Sequence, residues 1–105
     1  MTLRIFGEAV EYVRRMRPVV EAVGKRDSAL ADQLRRALAS IVLNTAEGSR
    51  QRKGKARNRF EDAMGSADEA VACHITADAL GYLAADAGLL DEGNRIARVL
   101  HKLAR

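Results

Sequence analysis

The sequence predicts an all-α protein, an up-and-down antiparallel four-helix bundle, and three observations support this prediction. The 105 residues contain four successive stretches in which apolar side chains recur at the spacing of one helix face. β-Branched residues are sparse and strictly alternating runs are absent, which argues against a sheet. No linker, repeat or low-complexity segment divides the chain, so we expect residues 1–105 to form a single domain.

The first helix is predicted from about Leu3 to Val23. Its apolar positions lie on one face and comprise Phe6, Ala9, Val10, Val13, Met16 and Val20. Pro18 lies inside this pattern, where it removes one backbone donor and crowds the preceding turn. Because the apolar face resumes in phase at Val19, we expect a kink near Pro18 rather than a break, and an end at Gly24.

The second helix is predicted to begin at Asp27 or Ser28, because either side chain can accept a hydrogen bond from an otherwise unpaired backbone amide. Its apolar stripe comprises Leu30, Leu34, Ala37, Leu38, Ile41, Val42 and Thr45. A polar line runs beside the stripe at helical spacing and comprises Arg36, Ser40, Asn44, Glu47 and Gln51. Asn44 is a poor helix former, so its place in mid-helix suggests a hydrogen-bonding partner on a neighbouring helix or chain. We interpret Asn44 and Glu47 as structural residues.

The third helix is predicted from about Lys55 to Ala87, with Ala87-Gly88 as the signal that ends it. Its stripe comprises Phe60, Met64, Ala67, Val71, Ile75, Ala79 and Tyr82, flanked by Ala63, Ala70 and Leu83. Gly65 and Ser66 fall in the middle, where a glycine costs up to about 1 kcal/mol relative to alanine. We interpret Gly65 as a point where a neighbouring helix packs closely.

The fourth helix is predicted to be short and to start at about Asp91 or in the turn before it. Its core-facing residues are Ile96, Val99, Leu100 and Leu103. Four helices joined by short connections form an up-and-down bundle.

The densest charge lies between the second and third helical patterns, in residues 50–59, which we call the basic segment. Its cations are Arg50, Arg52, Lys53, Lys55, Arg57 and Arg59, and no acid lies among them. The chain has 18 Lys and Arg, 14 Asp and Glu, and a formal charge of +4, so the positive excess lies in this segment. Clustered cations attract phosphates, which makes these six residues candidates for binding RNA or DNA. Since no aromatic residue lies among them, we expect contacts to phosphates rather than stacked bases.

An alternative stands beside nucleic-acid binding. The stretch from Glu61 to Glu92 contains acids but no Lys or Arg, so the third helix starts basic and continues acidic. The basic segment could therefore pair with acids on the third helix of an adjacent protomer. The sequence does not separate these two interpretations.

Several blocks of residues, spread over roughly residues 28 to 85, resemble the family of four-helix-bundle proteins encoded in intervening sequences of bacterial 23S ribosomal RNA genes. The blocks are Asp32-Gln33-Leu34-Arg35-Arg36-Ala37, Ser40-Ile41, Asn44-Thr45-Ala46-Glu47-Gly48, Ala63-Met64-Gly65-Ser66, Glu69 and Leu80-Gly81-Tyr82-Leu83. From these blocks we take Arg36, Asn44, Glu47, Gly48, Gly65, Ser66 and Glu69 as family-motif structural residues. After Gly48 the family usually shows x-Gly-Arg, whereas this chain reads Ser49-Arg50-Gln51.

The resemblance implies a homopentameric ring of four-helix protomers with a basic surface that contacts nucleic acid. It extends to the related accessory protein of diversity-generating retroelements, which works with a reverse transcriptase. The resemblance therefore implies a homo-oligomer, and it makes RNA, DNA or a reverse transcriptase candidate partners.

Catalysis and metal binding are not indicated. Cys73 is the single cysteine, and because Cys73 and His74 point about 100 degrees apart on a helix, they cannot form a dyad within one protomer. No Glu-x-x-His pair occurs, His74 and His101 fall on different helices, and no phosphate-binding glycine motif is present. We therefore predict a protein that is not an enzyme and has no metal and no cofactor. The absence of a long apolar run and of a signal peptide predicts a cytoplasmic protein with no membrane partner.

Two functional hypotheses follow from the sequence. In the first, the protein is an oligomeric nucleic-acid-binding accessory protein that uses the basic segment. In the second, it is a protein-interaction scaffold or accessory subunit, for example of a reverse transcriptase, docked through the acidic third helix or the basic segment.

Overall fold

Four α-helices make up most of the chain. The computed structural model describes the backbone of residues 2–105 and the side chains of residues 4–105. Helix α1 spans Thr2–Gly24, α2 spans Ser28–Arg50, α3 spans Lys53–Ala79 and α4 spans Ala87–Leu103, and residues 2–105 contain no strand. Each helix packs against the next along the chain, and α1 also packs against α4, as in an up-and-down bundle, here 42 × 23 × 19 Å. The predicted all-α class with four helices is confirmed.

Asp side chains cap the starts of α2 and α4. Asp27 Oδ1 accepts a hydrogen bond from the amide of Leu30 at 3.0 Å, and Asp86 Oδ1 accepts one from the amide of Leu89 at 3.0 Å. The predicted cap at Asp27 is confirmed. Asp27 Oδ2 also accepts from the Tyr82 hydroxyl at 2.9 Å, which ties the connection after α3 to the start of α2. The hydrogen bond from the Leu30 amide has the largest effect on the pKa of Asp27 and lowers it, and the bond from Tyr82 lowers it further.

The buried face of α1 is rotated by one residue from the predicted face. The buried positions, in alternating steps of four and three, are Ile5, Ala9, Tyr12, Met16, Val19 and Val23, whereas Phe6, Val10, Val13 and Val20 are only half-buried. The helix runs unbroken through Pro18, which is exposed, and ends at the predicted Gly24.

The predicted boundary between α3 and α4 is wrong. Helix α3 ends at Ala79, because Gly81 adopts a left-handed conformation with φ of 80°. The amide of Gly81 donates to Asp78 O and the amide of Tyr82 donates to Ala77 O, which is the Schellman pattern of a helix end. Ala87-Gly88 therefore begins α4, capped by Asp86, and does not end α3.

The predicted stripe of α3 is wrong beyond Val71. The buried residues alternate in steps of three and four and include Phe60, Ala63, Ala67, Ala70, His74 and Ala77. The predicted stripe steps by four from Ala67 to Ala79, and each such step turns about 40° around a helix of 3.6 residues per turn. It therefore leaves the core, and Ile75 is 51% exposed.

Close packing at glycine occurs on α2 and α4 rather than at Gly65. Gly65 is exposed, and a Cβ added there would meet no described atom within 4 Å, so the predicted close approach is wrong. A Cβ on Gly48 would lie 2.7 Å from the Phe60 ring. A Cβ on Gly93 would lie 2.7 Å from both the Tyr12 hydroxyl and Val71 Cγ2. The α2–α3 contact therefore depends on Gly48.

Candidate nucleic-acid interface

The basic segment is mostly helical, although the sequence suggested a connection. Helix α2 continues through Arg50, and only Gln51 and Arg52 separate it from α3. The remaining cations of the segment occupy the first two turns of α3, and all six side chains are exposed. The chain thus turns sharply, and the cations project from the end of the bundle where α2 and α3 meet.

The six cations divide into paired and unpaired sets. Arg50 pairs with Glu47 at 3.4 Å and Arg59 pairs with Asp62 at 3.7 Å, each within its own helix. Within the described part of the chain, no acid lies within 4.0 Å of the other four, which we call the inner cations: Arg52, Lys53, Lys55 and Arg57. Among the residues that the structure describes, only the two outer cations of the segment have an acid partner.

The inner cations surround the start of α3, which is itself electropositive. Arg52 occupies the N-cap position without a side-chain hydrogen bond to the helix, and the first turn of α3 contains no acid. Helices α2 and α4, by contrast, begin with capping aspartates. The first backbone amides of a helix lack intrahelical acceptors, and its N-terminus carries a partial positive charge. Backbone donors and cationic side chains therefore act together here, which suits a phosphate group.

A packed contact beneath the basic segment fixes its position. Phe60 is 4% exposed, and its ring lies against Gly48. The amide of Gln51 donates to Gly48 O at 3.3 Å, and the Gln51 side chain donates to Glu47 Oε1 at 3.1 Å. Glu47 thus contacts the end of its own helix. At the departure Ser49-Arg50-Gln51, α2 continues through Arg50 and ends before Gln51.

Three of the other motif residues, Arg36, Ser66 and Glu69, lie in a second place, the cleft between α2 and α3. We call it the polar groove, and its polar lining residues are Gln33, Arg36, Ser40, Ser66 and Glu69. The Ser66 hydroxyl donates to Ser40 Oγ at 2.7 Å, and Gln33 Nε2 donates to Glu69 Oε2 at 3.3 Å, so both bonds link α2 to α3. The sequence places Ser40 on the polar line of α2, but spacing along one helix does not identify its contact with Ser66 on α3.

Asn44 reaches α3 only indirectly. Its amide Nδ2 donates to the Ser40 hydroxyl at 2.9 Å and to Ser40 O at 3.1 Å, both on its own helix. The predicted direct partner on a neighbouring helix is therefore wrong within the protomer. Ser40 Oγ instead accepts from both Asn44 and Ser66 and connects them.

The residues considered for catalysis lie in the core. His74 is fully buried, and its Nε2 accepts from the amide of Asp86 at 3.2 Å. Burial lowers the pKa of His74, and the nearby Asp86 and Asp78 oppose this effect. Burial raises the pKa of the Cys73 thiol, so the reactive thiolate is disfavoured.

Two buried polar atoms have no hydrogen-bond partner among the described residues, namely His74 Nδ1 and the Tyr12 hydroxyl. Burial, with a smaller effect of Glu92, raises the pKa of Tyr12 to about 12. In the described part of the chain, no three His, Cys, Asp or Glu side chains are placed to hold a metal ion. No helix formed by residues 2–105 has the length and apolar character that crossing a membrane requires.

Comparison with known proteins gives one match. The family model described as 23S rRNA-intervening sequence protein matches residues 1–102, almost the whole chain. No curated protein and no solved structure matches at a significant level.

Proposed function

The chain belongs to the 23S rRNA-intervening sequence protein family, and from that premise we propose that it is an oligomeric, non-enzymatic protein that binds nucleic acid through its inner cations. One observation supports this proposal above the others. Four exposed cations without an acid partner in the described chain surround the uncapped start of α3. A phosphate backbone supplies the repeated negative charge that such a cluster attracts.

The binding mode follows from the side chains that are present. Lys and Arg contact phosphate oxygens irrespective of base sequence, and the basic segment contains no aromatic side chain for stacking. RNA and DNA should therefore both bind, with weak sequence selectivity and a strong dependence on salt.

Assembly into a homopentameric ring is part of the same proposal. Large apolar side chains lie exposed on α2, on α3 and just after α3: Leu43 is 67%, Ile75 51% and Leu80 54% exposed. A subunit contact would bury such groups. A ring would repeat the inner cations, so that one strand contacts several protomers and weak contacts become avid. Light scattering tests this step: a mass about five times the protomer's 11.5 kDa is expected, and a mass of 11.5 kDa would contradict it.

Fluorescence anisotropy with labelled RNA and DNA at low salt tests binding. The test variant replaces Arg52, Lys53, Lys55 and Arg57 by Ala. The matched control removes equal charge from exposed cations along α1 and just after it, by replacing Arg4, Arg14, Arg17 and Lys25 with Ala. We expect the test variant to lose binding and the control to keep it. No binding by the wild-type protein, or equal binding by both variants, would overturn the proposal.

A protein-interaction scaffold, for example an accessory subunit of a reverse transcriptase, is the second candidate. The observation in its favour is the exposed apolar pair Ile75 and Leu80, which lies at the acidic end of α3 and just after it, near Asp78 in sequence. A pull-down with a purified reverse transcriptase tests it, with an Ile75→Ser/Leu80→Ser variant as the control. Failure of the wild-type protein to retain the reverse transcriptase, or equal retention by the variant, would count against this candidate.

A further inference from the structure

A second set of unpaired cations lies on the last turns of α4 and just after it. Arg98 and Lys102 are four residues apart and so lie on one side of α4, and Arg105 lies two residues after the end of the helix. Within residues 4–105, no acid lies within 4.0 Å of any of the three. Arg95, one turn earlier, shows the opposite behaviour because it pairs with both Glu8 and Glu92. The end of α4 therefore carries three positive charges that have no acid partner among residues 4–105.

These three cations line an open groove between α3 and α4 with a volume of about 400 Å³. Its other lining residues are Met64, Asp68, Asn94, Ala97 and His101. We call it the α3–α4 groove. Asp68 is the single carboxylate among the lining residues, so cations outnumber acids there by three to one. Like charges three and four residues apart repel each other, and a bound anion would relieve that repulsion.

The α3–α4 groove lies on the same side of α3 as one inner cation. Met64 follows Arg57 by seven residues, which returns to nearly the same face of the helix about 10 Å further along its axis. Glu61 and Asp68 also lie on this face of α3. Their carboxylates would repel phosphates from α3, so an anionic strand would follow the α4 side, where Arg98 and Lys102 project.

We propose that the α3–α4 groove is a second phosphate-binding surface, which holds the part of a nucleic-acid strand that extends beyond the inner cations. The inference rests on the proposed function, since the inner cations would hold the first part of the same strand. It assigns the phosphate contacts to Arg98, Lys102 and Arg105, and it gives Asp68 the opposite role of weakening the binding.

The test compares two triple variants on a duplex of about 20 base pairs, which at 3.4 Å per pair is longer than the 42 Å molecule. The test variant carries Arg98→Ala, Lys102→Ala and Arg105→Ala. The matched control carries Arg4→Ala, Arg17→Ala and Lys25→Ala, which removes the same charge from α1 and its end. At about 50 mM salt, counterion release makes each phosphate contact worth on the order of tenfold in affinity. We therefore expect at least a tenfold loss for the test variant and less than a threefold loss for the control.

Asp68→Asn provides a gain-of-binding variant that misfolding cannot imitate. Asp68 is exposed, and its removal should raise affinity about threefold to tenfold because it removes one repelling charge from the groove. Equal losses of affinity in the two triple variants, or unchanged binding by Asp68→Asn, would contradict phosphate binding in the α3–α4 groove. Neither result would contradict phosphate binding by the inner cations. If the variant of Arg98, Lys102 and Arg105 loses binding and the variant of the four inner cations keeps it, the α3–α4 groove is supported as a phosphate-binding surface. Binding through the inner cations, which is the proposed function, is then contradicted. No binding by the wild-type protein would overturn both.

Discussion

The polar groove and the basic segment both lie where α2 meets α3, yet they use polar side chains in opposite ways. In the groove, Ser40 and Ser66 bond to each other and Gln33 bonds to Glu69, so polar groups on one helix satisfy those on the next. In the basic segment, the inner cations find no acid within 4.0 Å in the described chain. The contrast indicates that the motif residues determine how the helices pack, and that the inner cations are available to a partner.

The largest difference in the free energy of unfolding is expected between two glycine substitutions, one at Gly48 and one at Gly65. Gly48→Ala would place a Cβ 2.7 Å from the buried Phe60 ring, and overpacking of this kind costs about 1–3 kcal/mol, partly offset by the better helix propensity of alanine. Gly65→Ala meets no described atom within 4 Å and should stabilise the helix by up to about 1 kcal/mol. Urea denaturation of both variants measures the difference. Equal stabilisation by the two substitutions would show that Gly48 does not determine the α2–α3 contact.

A smaller loss is expected in the polar groove. Ser66→Ala removes the hydroxyl that donates to Ser40 Oγ, and a hydrogen bond of this kind contributes about 0.5–1.5 kcal/mol. A double-mutant cycle with Ser40→Ala should show coupling, because the two hydroxyls contact each other. Additive losses would indicate that the helices meet without this bond. Nucleic-acid affinity should not change in either variant.

The free energy of unfolding should depend modestly on pH, through a histidine in the packed core rather than through the basic segment. Because burial lowers the pKa of His74, the unfolded chain binds the proton more readily than the folded chain. The free energy of unfolding should therefore fall as the pH falls below about 6.5, and level off below the folded pKa. The change is modest because Asp86 and Asp78 oppose the lowering.

Denaturation at pH 7.5 and 5.0 tests the role of His74, with His74→Gln as the control that cannot titrate. The wild-type protein should lose more stability than His74→Gln between these values, and an equal loss would contradict the assignment. A larger loss in the wild-type protein would assign the pH dependence to the packed core.

The sequence predicts the local signals of this fold better than it predicts the faces of the helices. The cap at Asp27 and the end at Gly24 follow from the chemistry of single residues, and both are confirmed. The end of α3 was missed because Gly81 was read as part of a helical pattern, although its left-handed conformation ends the helix. A stripe drawn in steps of four leaves the core within a few turns, which is why Ile75 was misplaced.

The candidate site likewise has a part that the sequence predicts and a part that only the folded structure shows. Charge density along the chain identifies the six cations of the basic segment, because finding them requires no long-range contact. The polar groove could not be derived from spacing along one helix, because Ser40 and Ser66 are 26 residues apart and meet only when α2 and α3 pack. The sequence also does not show which cations form ion pairs. Arg50 and Arg59 differ from Arg52 only because they contact Glu47 and Asp62 in the folded protein.

The salt dependence of binding tests the central claim most directly. For duplex DNA, each phosphate contact contributes about 0.9 to the slope of log K against log salt. Replacing the four inner cations with Ala should therefore reduce the magnitude of that slope by about 3 to 4 per protomer engaged. The free energy of unfolding should stay within about 0.5 kcal/mol of the wild-type value. An unchanged slope, in a variant that folds normally, would contradict the assignment of the inner cations to phosphate.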